Sequence, residues 1–165
     1  MDAEAPTHAN ATSKVWYLRT AESSHGEVHE QRVEYLPDSP FPPAHLHPAQ
    51  DEHFEIEAGE MLFVVDGRER LLAAGDTIDI PRGTVHRARN ASDATSAVVR
   101  WETRPALRTT AFFTTAARLG DEAGLLDLAL LAREYRDVFR LSGPSAAALP
   151  LLARLGRGLG RRLPA

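Results

Sequence analysis

The chain has no cysteine among its 165 residues. That excludes a disulfide scaffold, a thiolate metal site and a cysteine nucleophile. It lacks any apolar run near the roughly 18–20 residues that span a bilayer, and its mean hydropathy is −0.30, so no transmembrane helix is expected. The opening MDAEAPTHANATS carries two acids, no base and no following apolar stretch. No secretory signal is read there, and a cytoplasmic location is expected. Basic excess is also missing: the net charge is −4 and the pI near 6.0, which argues against general nucleic-acid affinity. Lysine is nearly absent, with Lys14 alone beside 18 arginines, a bias that fits GC-rich coding better than function. What is present, 43% hydrophobic and 25% charged residues, is ordinary for one soluble globular domain.

Charge and pattern both change near residue 105. Residues 1–105 hold 18 acids against 10 bases, and residues 106–165 hold 5 against 9, balances of −8 and +4. Three parts follow: an arm over 1–13 expected to be disordered, a β-rich body over 14–105, and a helical segment over 106–165. Strands are expected at Val15–Arg19, Glu27–Tyr35, Glu52–Glu57, Met61–Val65, Arg68–Leu72, Thr77–Ile80, His86–Arg89 and Ala97–Thr103. They are short, rich in β-branched and aromatic residues, and closely spaced, which favours an antiparallel sandwich or barrel. Asp66-Gly67 between Val65 and Arg68 is a two-residue hairpin signal.

In the helical segment, Thr110–Leu119 forms one expected helix. A second starts at an Asp121 cap, presents Leu125, Leu128, Ala132, Tyr135 and Phe139 on one face, and stops at Gly143-Pro144. A third follows Pro150, with Leu151, Leu152, Leu155 and Leu159 opposite Arg154, Arg157, Arg161 and Arg162. These apolar faces are expected to pack on the body or on a second subunit. The basic end over 150–165 offers a weaker alternative, an anionic membrane surface.

Two groups in the body carry chemistry. His45-Leu46-His47 on an extended chain puts both imidazoles on one face, although an isolated His-x-His is a weak metal signal. In the run Glu52-His53-Phe54-Glu55-Ile56-Glu57, Glu52 shares a face with Phe54 and Ile56. An acid in that row is costly to bury unless it is paired or bound to a cation. Glu55, Glu57 and Glu60 read as a solvated edge. Gln50 and His53 read as surface residues, Trp101 as core, and Asn90 as a backbone cap after its strand. The second group runs from Gly75 through Pro81, Gly83 and His86 to Asn90.

Together these spacings resemble the cupin superfamily. Of the first cupin motif, G-x5-H-x-H-x3,4-E-x6-G, His45, His47, Glu52 and Gly59 match, and only the opening glycine is missing. Of the second, G-x5-P-x-G-x2-H-x3-N, Gly75, Pro81, Gly83, His86 and Asn90 all match. The 15-residue spacer, 60–74, is like that of small single-domain bacterial cupins.

The resemblance implies a double-sheet antiparallel β-barrel of jelly-roll type, here followed by two or three helices. It implies one divalent metal per chain (Fe, Mn, Ni, Cu or Zn) held by His45, His47, Glu52 and His86, a donor set that suits those ions. Two further coordination sites would remain for substrate or dioxygen. The function expected is a metal-dependent enzyme acting on a small enolisable or aromatic molecule, with dioxygenase chemistry slightly ahead of isomerisation or cyclisation. The alternative is a non-catalytic module that binds a small ligand or a metal. A homodimer is the default by the same resemblance. Glu52 is either a ligand or, swung off the metal, the catalytic base; Glu52→Gln separates the two, losing metal in the first case and only turnover in the second.

Overall fold

The computed structural model describes residues 5–164. Period-2 alternation gives strands close to the boundaries read above. In chain order they are β1 (His8–Ala9), β2 (Ser13–Arg19), β3 (His29–Tyr35), β4 (His45–Leu46), β5 (Asp51–Ala58) and β6 (Glu60–Val65). There follow β7 (Arg68–Ala73), β8 (Thr77–Ile80), β9 (His86–Asn90) and β10 (Ala97–Arg104). The remainder holds α1 (Thr109–Leu119), α2 (Leu125–Glu134), β11 (Arg140–Leu141) and α3 (Pro144–Gly158).

Two antiparallel sheets form, ordered β1-β2-β3-β10-β5-β8 and β11-β4-β9-β6-β7. Their inner faces meet in a core of Phe54, Ile56, Ile78, Ile80 and Val99 from the first sheet and Met61 and Phe63 from the second. This is the expected jelly roll with three C-terminal helices. Each sheet keeps its own ladder, and no strand pairing among the described residues joins the two into a continuous cylinder. Asp66 and Gly67 both take positive φ, 47° and 76°, the hairpin conformation that their sequence signalled.

Gly59 explains why the first motif ends in glycine. It turns β5 into β6 at φ 73°, and a Cβ there would lie 2.7 Å from the Ser96 oxygen and 2.9 Å from Ala97 Cα. Gly59→Ala therefore combines left-handed strain with a backbone clash. A loss of about 2–4 kcal/mol is expected, read as a fall of roughly 4–16 °C in Tm. A native-like melting curve would remove this reading.

The outer face of the first sheet carries an ion-pair network. Glu30, 2% exposed, accepts from Arg19 and, at 2.5 Å, from Arg100, while Arg19 also reaches Glu102 at 3.0 Å. Burial alone would raise the Glu30 carboxyl, but the two guanidiniums hold it below the usual carboxylate range. A depressed folded-state pKa adds stability above the unfolded value near 4.3 and loses it as pH falls through the folded one. Glu30→Gln should thus cost about 1–2 kcal/mol at pH 7, since both arginines are partly solvated. The deficit should shrink below pH ~4; equal deficits at pH 7 and pH 3 would contradict it.

Three expectations need correction. Of the arm expected to be disordered, residues 1–4 lie outside the described residues. His8–Ala9 pairs as a strand with Lys14–Val15, and Ala11 donates to Asp121 at 3.1 Å. Asp121 is therefore not the cap of α2: that helix starts after Gly124, whose N–H donates to Asp127 at 3.1 Å. Finally, α2 stops at Glu134, and its buried side is Asp127, Leu130 and Leu131 rather than Leu125 and Leu128, which are exposed. The chain leaves the helix because Tyr135, Val138 and Phe139 are drawn to the end of the jelly roll, where Arg140–Leu141 pairs with β4. Leu151, Leu155 and Leu159 on and after α3 are also exposed, while Leu152 packs beside Ala129, Leu130 and Ala153.

Candidate metal centre

Three short elements bring the histidines together. β4 and β9 pair with His45 directly opposite His86, so the two side chains leave one sheet side by side. His47 follows on the same face, two residues along an extended chain held between prolines. From the opposite sheet β5 presents Glu52 inward, ahead of Phe54 and Ile56. All four side chains are buried, between 2% and 8% exposed.

Each imidazole is fixed in one tautomer by its backbone. Nδ1 of His45 lies 2.9 Å from the Pro43 carbonyl, Nδ1 of His47 lies 2.7 Å from that of Val138, and Nδ1 of His86 lies 3.1 Å from that of Thr84. A carbonyl only accepts, so Nδ1 carries the proton and the Nε2 lone pairs are free to face the centre. There they meet a carboxylate. Glu52 Oε1 is 3.2 Å from His47 Nε2, and Oε2 is 2.9 Å from His86 Nε2.

His47 Nε2 and Glu52 Oε2 are buried with no hydrogen-bond partner. Lone pairs aimed at lone pairs in a site closed to water need something positive between them. One ligating nitrogen from each histidine lies within 4.8 Å of the others, near the separation of at most about 4.2 Å that two metal–nitrogen bonds of about 2.0–2.1 Å each can bridge. The residues present therefore fit a divalent cation. Three neutral imidazoles with one carboxylate are the donors that first-row divalent ions take.

The electrostatics of His45 and His47 agree. Burial, with the neighbouring imidazoles, lowers His45 to about 3, keeping it neutral and able to ligate. Burial also lowers His47. For His86 burial is outweighed by the Glu52 carboxylate, and its pKa is raised. Glu52 would be raised by burial, yet His47, His86 and His45 hold it below the ordinary glutamate value. A negative charge thus persists in a site that hides it from water.

A model of the cupin domain family matches residues 31–101, which span both motifs and all four of these side chains. Residues 31–101 form a cupin domain. A curated relative, the oxidoreductase iacF of Pestalotiopsis fici, is 49% identical over 47 residues, 28% of this chain. The chain spans under a quarter of that protein, 23% of its length. Among solved structures, a predicted oxalate decarboxylase from Thermotoga maritima superposes with TM-score 0.56 at 20% identity, over 61% of this chain and 92% of that one. An RmlC-like cupin from Shewanella frigidimarina gives 0.54 at 19%, over 66% and 89%. The polyketide cyclase RemF from Streptomyces resistomycificus gives 0.50 at 18%, over 62% and 70%. At these identities the likeness is one of fold.

Some neighbours of the cupin site escaped the sequence. Trp101, read as core, donates its indole N–H to Glu52 Oε1 at 3.0 Å while stacking on Phe54. In the sequence it shares a face with Ala97 and Val99, a pattern that fits core packing as well as a site. Tyr35 is raised by burial and by the charge of Glu52. Gln50, read as surface, is fully buried and donates to Pro105, Ala106 and Thr109, tying the entry to β5 to the start of the tail. Val138 and Phe139 lie about 90 residues away in sequence, where no local pattern connects them to the site. Phe139 stacks on His45 at 4.6 Å and on Phe112 at 5.1 Å. His53, by contrast, is partly exposed and pairs with Asp79, and Asn90 holds the backbone at Tyr35, Leu36 and Thr95, as read. No described helix is long and apolar enough to cross a membrane.

Proposed function

We propose that this cupin is a divalent-metal-dependent enzyme acting on a small enolisable or aromatic molecule. The observation that carries the proposal is the convergence of three backbone-fixed imidazoles on a buried, charged carboxylate, with His47 Nε2 and Glu52 Oε2 left without hydrogen-bond partners. His45, His47, His86 and Glu52 would hold the ion. When bound, it supplies Lewis acidity toward a substrate oxygen and, if redox-active, a partner for dioxygen.

The chain's own residues provide the rest. Trp101 holds one oxygen of Glu52 in place, leaving the other to face His86. Next to it, Val33, Tyr35, Trp101 and Phe113 line a cavity of about 300 Å³ whose polar lining includes His8, Asn10, Ser13, Gln31 and Asp121. That volume suits a small, flat organic molecule. Phe139 and Phe112 close the side over His45 and exclude water, which strengthens every charge interaction within. Oxidoreductase chemistry is placed ahead of isomerisation or cyclisation because of the segment shared with the oxidoreductase iacF.

The test is elemental analysis of protein purified without added metal, followed by oxygen uptake with a panel of enolisable and catecholic compounds. Near-stoichiometric divalent metal and uptake with at least one compound are expected. Glu52→Gln should lower metal content if the carboxylate is a ligand, or leave metal and abolish turnover if it is the base. Full metal content with full activity would reject both roles. A metal-loaded protein inert toward the whole panel would favour the non-catalytic alternative.

A further inference from the structure

The C-terminal turn encloses a second cleft, of opposite charge to the metal centre and sharing no lining residue with its four donors. It measures about 600 Å³ and lies between α1, the end of α2 and residues 157–164. Arg133, Arg157 and Arg162 line it, and none of the three has a carboxylate within ion-pair distance among the described residues. The acids that might have balanced them are occupied. Glu134, which also borders the cleft, is held by Arg108 at 3.2 Å. Asp127 is held at 2.6 Å by Arg161, the fourth arginine of the lining.

Three uncompensated guanidiniums at one concavity repel each other, and an anion between them removes that cost. Their planar forks match carboxylate and phosphate oxygens in pairs. The floor is of another kind. Leu130, Tyr135 and Leu163 are apolar and partly or fully buried, and the Tyr135 hydroxyl is already satisfied by Thr115 at 2.9 Å. A cationic rim over an apolar floor selects an oxyanion carried on an apolar body, rather than a bare inorganic ion.

We infer that this cleft binds a small organic phosphate, its oxyanion head on Arg133, Arg157 and Arg162 and its apolar body on Leu130, Tyr135 and Leu163. The site is separate from the metal centre and stands whether or not the protein is an enzyme.

Calorimetric titration of the full chain with phenyl phosphate tests it, with phenol, inorganic phosphate, and phosphatidylglycerol vesicles as parallel arms. Phenyl phosphate should bind in the micromolar to low millimolar range, roughly tenfold or more tighter than phenol or inorganic phosphate. Arg133→Gln, Arg157→Gln and Arg162→Gln should each weaken it about three- to tenfold. All three lie at exposed positions, so metal content and melting temperature should stay native and certify the fold. Absence of binding, equal binding by the triple variant, or binding to vesicles without binding to phenyl phosphate would each overturn the inference.

Discussion

Purified without added metal, His47→Ala should carry roughly a tenth or less of the divalent metal found in the native protein. The magnitude follows from the site rather than from the residue alone. Perturbing a group that merely orients a metal ligand costs about 10–100-fold in affinity, and removing a ligand costs at least as much. His47 sits between Glu52 at 3.2 Å and the Val138 carbonyl at 2.7 Å, so its loss opens the coordination set and frees the tail's anchor together. Melting provides a second reading. A ligand at 1,000 times its Kd stabilises the native state by about 4 kcal/mol, so a chelator should lower the native Tm by roughly 8–16 °C. The same chelator should leave His47→Ala unmoved. Stoichiometric metal in the variant, or a native Tm indifferent to chelation, would remove the metal from this site.

Local patterns predicted the body of the molecule well and its closure poorly. Alternation placed Glu52, Phe54 and Ile56 inward and His53, Glu55 and Glu57 outward, because a strand with one buried face has no freedom to slip by one residue. Fixed spacing identified all four residues now found together, since a turn and an extended segment are local events. The tail obeyed other forces. The period from Leu125 to Phe139 suits a single helix, yet the segment breaks after Glu134, where pairing of Arg140–Leu141 with β4 and burial of Val138 outweigh two more helical turns. Which face of α2 is buried was likewise settled by α3: Leu126 and Leu130 lie against Gly156, where an added Cβ would meet them at 3.5 Å. Such partners are invisible to a window of ten or fifteen residues.

Phe139 is where that tail and the cupin site become one structure, and Phe139→Ala should weaken both. Its ring stacks on His45 and Phe112 and meets His47 edge-on at 6.2 Å. Truncation removes these contacts and admits water over His45. Because Phe139 is only partly buried, a stability loss of about 2–3 kcal/mol is expected, below that of a fully enclosed phenylalanine. Metal affinity should fall about tenfold, the lower end for a group that supports a ligand without binding the ion. Phe139→Leu separates the two effects: it refills much of the volume and should recover most of the stability. It cannot stack, however, so part of the affinity loss should persist. If metal affinity were native in both variants, the tail would be a covering for the jelly roll and nothing more. If it tracked stability alone, His45 would owe its orientation to the Pro43 carbonyl without help from the ring above it.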